Sequence, residues 1–172
     1  MGDATDRGAD HDAVVAALPG WLDELGLEAS VAGDDRWMTM LSGEWKRTIQ
    51  VLLHVDERHL RLRSLLCPAV DEHHAEVYAL LLHRNERTGA VRFALDGVGD
   101  VVLLGAVPHA ALDAARFDEL LGEVLTTMDE TFNAVLAKGF AGYIGREQAW
   151  RASVGLEPNP AFPDTGPGSD DG

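Results

Sequence analysis

In residues 49–55, and again from residue 60 to 63, large apolar side chains fall on every second position, which is the period of a strand and not of a helix. Ile49, Val51, Leu53 and Val55 alternate with Gln50, Leu52 and His54, and Leu60 and Leu62 alternate with Arg61 and Arg63. Turn residues at Ser42-Gly43 and Asp56-Glu57-Arg58 divide the stretch into three antiparallel strands, at about 35–42, 45–55 and 59–66. Such a sheet has two chemically different faces. One is aliphatic and must be covered; the other mixes apolar, amide and basic groups.

The flanking segments supply the cover. A first helix is expected from about Asp10 to Leu25, with Val14, Val15, Leu18, Trp21, Leu22 and Leu25 on one face and a kink or restart at Pro19, which lacks a helix donor. A second is expected from Asp71 to Arg87, its acidic start suited to the positive end of the helix dipole. Val91, Phe93 and Leu95 mark a fourth strand, Gly97-Val98-Gly99 a turn, and residues 101–107 a fifth strand ended by Pro108. Asp113 is a candidate cap for the longest helix, which repeats Phe117, Leu121, Val124, Met128, Phe132, Val135 and Leu136 at three- and four-residue intervals. Its acidic residues Asp118, Glu119, Glu123, Asp129 and Glu130 are expected to face water, and Gly139 to interrupt it before a last helix ending near Ser153. The order α-β-β-β-α-β-β-α-α defines an α+β class, a single antiparallel sheet of about five strands packed by helices.

A chain of 172 residues with 46% apolar content fits one domain. Residues 10–155 are assigned to it. Residues 1–9 and the Pro/Gly/Asp-rich residues 156–172, which hold four of the seven prolines, read as disordered tails because neither carries enough apolar surface to offset ordering. The net charge of −15 excludes nucleic acid as the main partner, since phosphate binding needs a basic footprint. No apolar run approaches a membrane span and the acidic start is unlike a signal peptide, so no membrane partner and a cytoplasmic location are expected. One cysteine, Cys67, agrees with a reducing compartment. Residues 36–92 carry nine basic against seven acidic groups, so the negative charge lies in the flanks.

The sequence offers no catalytic residues, metal site or cofactor site. His73 and His74 sit beside Glu72 and Glu76, but adjacent helix positions point about 100° apart and do not converge on one ion. Asp96-Gly97-Val98-Gly99-Asp100 lacks both the following helix and the Lys-Ser/Thr of a phosphate loop, and has too few carboxylates for calcium, so it reads as a hairpin turn. Cys67 reads as a small buried residue at a strand end. His54, His59, His83 and His109 have no ligand spacing and read as surface or partly buried.

The face opposite the aliphatic one is the better candidate. It is expected to carry Thr48, Gln50, Leu52 and His54 beside Arg61 and Arg63, a surface suited to an extended, partly acidic segment. Leu52, His54, Arg61 and Arg63 are the candidate partner-binding residues.

Asp71-Glu72-His73-His74-Ala75-Glu76-Val77-Tyr78, Leu81-Leu82-His83-Arg84-Asn85, Phe93-Ala94-Leu95-Asp96, Gly99-Asp100-Val101-Val102-Leu103-Leu104-Gly105, Phe132-Asn133, Gly139-Phe140 and Arg146-Glu147-Gln148-Ala149-Trp150-Arg151 occur in that order. The series resembles the actinobacterial YbjN-like family, whose fold is similar to that of type III secretion chaperones. Leu41-Ser42-Gly43-Glu44-Trp45-Lys46 is similar to the family's Leu-Pro-Gly-Glu-x-Lys turn. The resemblance implies a non-enzymatic peptide- or protein-binding chaperone or adaptor, or alternatively a regulatory, sensory-transduction interaction protein without holdase activity. It also implies a homodimer, or a heterodimer with a paralogue. The chain departs from the family at Val70-Asp71-Glu72-His73, where Pro-Asp-Glu-Asn is usual, at Gln148, where tryptophan is common, and at Val102 and Ala106, which replace tyrosine and arginine.

Overall fold

The computed structural model describes the backbone of residues 4–160 and the side chains from Asp10 onward. Four helices and six strands follow in the order α1 (Ala4–Glu24), β1 (Ala29–Gly33), β2 (Arg36–Leu41), β3 (Ile49–Val55), β4 (His59–Cys67), α2 (His74–Glu86), β5 (Val91–Leu95), β6 (Val101–Pro108), α3 (Ala114–Gly139) and α4 (Ala141–Ser153), with one 3-10 turn at His109–Ala111. The strands form one sheet, β1-β2-β3-β4-β6-β5, antiparallel at every pairing. This is the α+β class expected from the sequence, with six strands in place of about five.

The added strand is β1. It is exposed along its whole length and Val31 is its one large apolar residue, so no alternation marks it. A tight turn joins it to β2, with Gly33 facing Arg36 and Asp35 in the left-handed region at φ 52°. Aspartate tolerates that region better than most residues.

The aliphatic face is covered as the alternation requires. Ile49, Val51, Leu53 and Val55 of β3, Leu60 and Leu62 of β4, Val101, Leu103 and Val107 of β6 and Val91 and Phe93 of β5 share one core with Val14, Leu18 and Leu22 of α1, Val77 and Leu81 of α2, and Phe117, Leu121, Val124, Met128 and Val135 of α3. Gly105 lies in this layer because a Cβ there would stand 2.9 Å from Leu62 Cγ.

Three expectations about the helices need correction. α1 continues through Pro19 as one helix, so there is no restart there. The lost hydrogen bond is tolerated because Leu18 and Leu22, on either side, are fully buried. That helix also includes residues 4–9, six of the nine assigned to a tail, while residues 161–172 lie outside the described residues. α2 starts at His74 and not at Asp71, because the Asp71 and Glu72 N–H groups donate to the Gly139 carbonyl at the end of α3 (3.0 and 3.2 Å). His73, in the left-handed region at φ 51°, makes the bend, a conformation that asparagine and histidine both enter more readily than most residues.

The third correction concerns α3. Asp113 caps it as expected, accepting from Arg116 N at 2.8 Å. Asp129 and Glu123, however, are not simply solvated. The Asp129 carboxylate accepts the N–H groups of Glu44, Trp45 and Lys46 at 3.0, 2.8 and 2.7 Å, so it clamps the β2–β3 connection. Glu123 accepts from Gly89 and Ala90 in the α2–β5 connection. A side chain at Gly43 would collide with the Asp129 carboxylate, which is why the turn carries glycine there.

Candidate functional site: the uncovered sheet face

Strand pairing places Leu52 opposite Arg63 and His54 opposite Arg61, so all four candidate residues stand side by side on the face away from the core. Register extends the patch. Met38 lies opposite Leu52 and Arg36 opposite His54 on β2, Leu104 opposite Arg63 and Ala106 opposite Arg61 on β6, and Arg92 opposite Leu104 on β5. Gln50, Met40, Leu65 and Leu104 are exposed there, and no helix covers the face among the described residues. Thr48 precedes β3, so the strand begins one residue later than the proposed row requires.

Sequence reasoning missed Met40 and Leu104 as exposed groups of this face. Met40 is 58% exposed, while Trp37, its neighbour on the other side of the strand, packs half-buried against the core. The signal was present in the alternation of Trp37, Thr39 and Leu41 with Met38 and Met40.

The arginines are accessible but not free of partners. Arg61 pairs with Asp56 in the β3–β4 turn, and Arg63 Nη2 lies 2.8 Å from Asp96 Oδ2 in the β5–β6 turn. Their side chains remain 55% and 45% exposed. Burial favours the protonated form of Asp56, yet donation from Arg58 N–H, the Arg61 side chain and His59 N–H outweighs it and holds the carboxyl well below the usual carboxylate range. The Arg63 hydrogen bond, joined by Val98 N–H, depresses Asp96. Four arginines therefore share this face with two carboxylates at its opposite ends, leaving it basic in a strongly acidic chain.

The departures from the family pattern are spatially sorted. Ala106, opposite Arg61, belongs to the uncovered face, which so lacks a cationic group there, whereas Val102, opposite Leu65 on the same side of β6, is buried. Gln148 instead holds the backbone of Asn159, accepting from its N–H at 3.1 Å.

The other marked residues are held apart or engaged in local contacts. His73 Nδ1 lies 3.3 Å from Glu76 Oε1, while the His74 ring stands edge-on to Tyr78 at 6.0 Å, so the two histidines diverge. Glu72, off the helix, accepts from Gly142 N–H and caps α4. Burial pushes the Cys67 thiol up to about 12, against a partial opposing pull from Lys46, which keeps it protonated at neutral pH. Among the described residues no group of three His, Cys, Asp or Glu side chains is placed to hold a metal ion. His109 is buried, not superficial, with its Nε2 lacking a hydrogen-bond partner. No described helix is long and apolar enough to cross a membrane.

This fold is similar to that of chains solved in type III secretion and chaperone-effector complexes. The chain matches a chain of the HopA1-SchA chaperone-effector complex with TM-score 0.55 and 16% identity, over 69% of this chain and 94% of that one. It matches the crystal structure of YbjN from E. coli with TM-score 0.54 and 12% identity, over 72% and 91%. Residues 15–137 match the family model YbjN, described as "Putative bacterial sensory transduction regulator". The chain belongs to the YbjN family. An uncharacterized protein of Mycobacterium tuberculosis is 43% identical over 115 residues, and one of Mycobacterium leprae 36% identical over 120. The matches take in 67% and 70% of this chain and span 63% and 65% of the length of those relatives.

Proposed function

We propose that the protein is a non-enzymatic binding protein that holds an extended polypeptide segment across its uncovered sheet face, as a chaperone or adaptor. The observation that carries this reading is the register Leu52–Arg63 and His54–Arg61, which puts apolar contacts and guanidinium groups in adjacent rows of an exposed antiparallel surface. An extended segment of mixed acidic and apolar residues has the complementary chemistry, with carboxylates competing for arginines that Asp56 and Asp96 hold in place. Membership of the YbjN family and the likeness to a chain from a chaperone-effector complex support a protein partner in the same way. A regulatory role without holdase activity is the second reading, favoured by the family's description.

The test is capture of partner protein by the wild-type chain and by the double variant Arg61→Glu, Arg63→Glu. The reversal and high salt are each expected to weaken capture while the circular dichroism spectrum stays unchanged, because exposed strand positions carry little folding energy. Intact capture after reversal would move the site to the helical side. Suppression of aggregation for several unfolded clients marks a chaperone; retention of one folded partner marks a regulator. The apolar part of the uncovered face also supports self-association or pairing with a paralogue, which sedimentation at micromolar concentration reads directly.

A further inference from the structure

Between α2 and α3 the helical layer holds a polar cavity of about 390 Å3, and none of the residues lining it is aliphatic or aromatic. Its walls follow from helix periodicity. Arg84 stands in the last turn of α2 and Arg87, three positions on, is the capping residue, so both guanidinium groups reach the same cavity. On α3, Thr126 with Glu130 and Thr127 with Thr131 form two rows at four-residue spacing along the opposite wall.

The donors of this cavity are largely unclaimed. Among the described residues the Arg87 side chain makes no hydrogen bond or ion pair, and Arg84 has only Glu130 Oε2, at 3.5 Å. The Thr126 and Thr127 hydroxyls are also without a partner among the described residues. Thr131 is fully buried, yet its Oγ1 has no hydrogen-bond partner either. A threonine inside a helix can settle its hydroxyl on the carbonyl four residues back, and here it does not. Buried polar groups are ordinarily paired, so an orphaned hydroxyl in a cavity wall marks a network that a further group completes. Helix-dipole complementation accounts for two cations at the end of α2, but not for three unpartnered threonine hydroxyls beside the same cavity. Of the two carboxylates in the wall, Glu123 is occupied by the N–H groups of Gly89 and Ala90. Glu130 is 59% exposed and holds Arg84 at the limit of hydrogen-bond distance, a contact that a stronger anion displaces readily.

We propose that this cavity binds the phosphate group of a small polar ligand, gripped by Arg84 and Arg87 from α2 and by threonine hydroxyls from α3. Two guanidinium forks and several hydroxyls offer more donors than the two oxygens of a carboxylate can use, and they match the oxygens and charge of a phosphate. The volume leaves room for a sugar or polyol beyond the phosphate, whereas walls without an aromatic ring give a nucleotide base nothing to stack on. The site lies in the helical layer, apart from the sheet face proposed for a polypeptide segment, and a bound ligand ties α2 to α3.

Titration of the full-length chain with glucose 6-phosphate, inorganic phosphate and glucose, at constant ionic strength and followed by backbone amide NMR shifts, tests this. Both phosphates are expected to give saturable shifts clustered at residues 84–88 and 122–131, and glucose none. Tighter binding of glucose 6-phosphate assigns the site to a phosphate ester, and equal binding to inorganic phosphate itself. Arg87→Gln, at an exposed position, should weaken binding about tenfold or more with an unchanged circular dichroism spectrum, the order expected for a lost charged hydrogen bond. Glu130→Gln removes the competing carboxylate and should tighten binding. Shifts that do not saturate or that scatter over the surface, Arg87→Gln binding as the wild type does, or Glu130→Gln failing to tighten would each overturn the proposal.

Discussion

The two faces of the sheet come from the same strands, one residue apart, and yet they answer to different demands. On β3, Leu53 is fully buried under helices, while its neighbour Leu52 is only partly buried beside Arg63. Every large residue of the covered face has a packing reason to be there. The uncovered face holds Met40, Leu65 and Leu104 in the open, together with four arginines, and none of them lies in the core. Residues that the core does not use are the ones from which a binding function is best argued.

The sharpest way to break this comparison is to exchange small for large on each face in turn. Leu53→Ala should cost about 2–5 kcal/mol, because it opens a cavity in a packed core. Leu52→Ala, one residue away, should cost less than about 1 kcal/mol. Denaturant midpoints of the two variants check both values. Equal losses would mean that the second face is also covered in solution, by a second copy or by a tail.

Asp129→Ala is expected to fall between these, at about 1–3 kcal/mol, since it strips three N–H groups in the β2–β3 connection of their acceptor. Asp118→Ala, on the same helix with no such contact among the described residues, should be near neutral, and thermal unfolding distinguishes the pair. This difference was not legible in the sequence. Asp118 and Asp129 look alike as polar positions of an amphipathic helix, and only the loop that arrives 83 to 85 residues away in the chain separates them. The covered face was legible because burial repeats with the strand period. The uncovered patch was half legible: the alternation of Arg61 and Arg63 with Leu60 and Leu62 gave their face, while their partners Asp56 and Asp96 come from turns whose approach no periodicity encodes. β1 escaped notice because it buries nothing.

The smallest expected effect is that of acid. Asp56 has a carboxyl pKa lower in the folded chain than the ordinary value near 3.9, so its contribution to stability is complete above about pH 4 and is lost as pH falls through the folded value. Asp56→Asn should therefore lower the melting temperature slightly at neutral pH and flatten its decline below about pH 4. The same variant removes the partner of Arg61, and it should raise the affinity for an acidic segment if that arginine takes part in binding.

The central claim is that partner segments lie on the uncovered face and not on the helical layer. Benzoyl-phenylalanine placed at Leu104, between Arg63 and Arg92, and separately at Asp118 on α3, compares the two surfaces directly in the native host. The account predicts that the Leu104 position crosslinks to a polypeptide partner, that the adduct disappears when Arg61→Glu and Arg63→Glu are added, and that Asp118 yields none. Crosslinking from Asp118 alone, or adducts at Leu104 indifferent to the charge reversal, would contradict it.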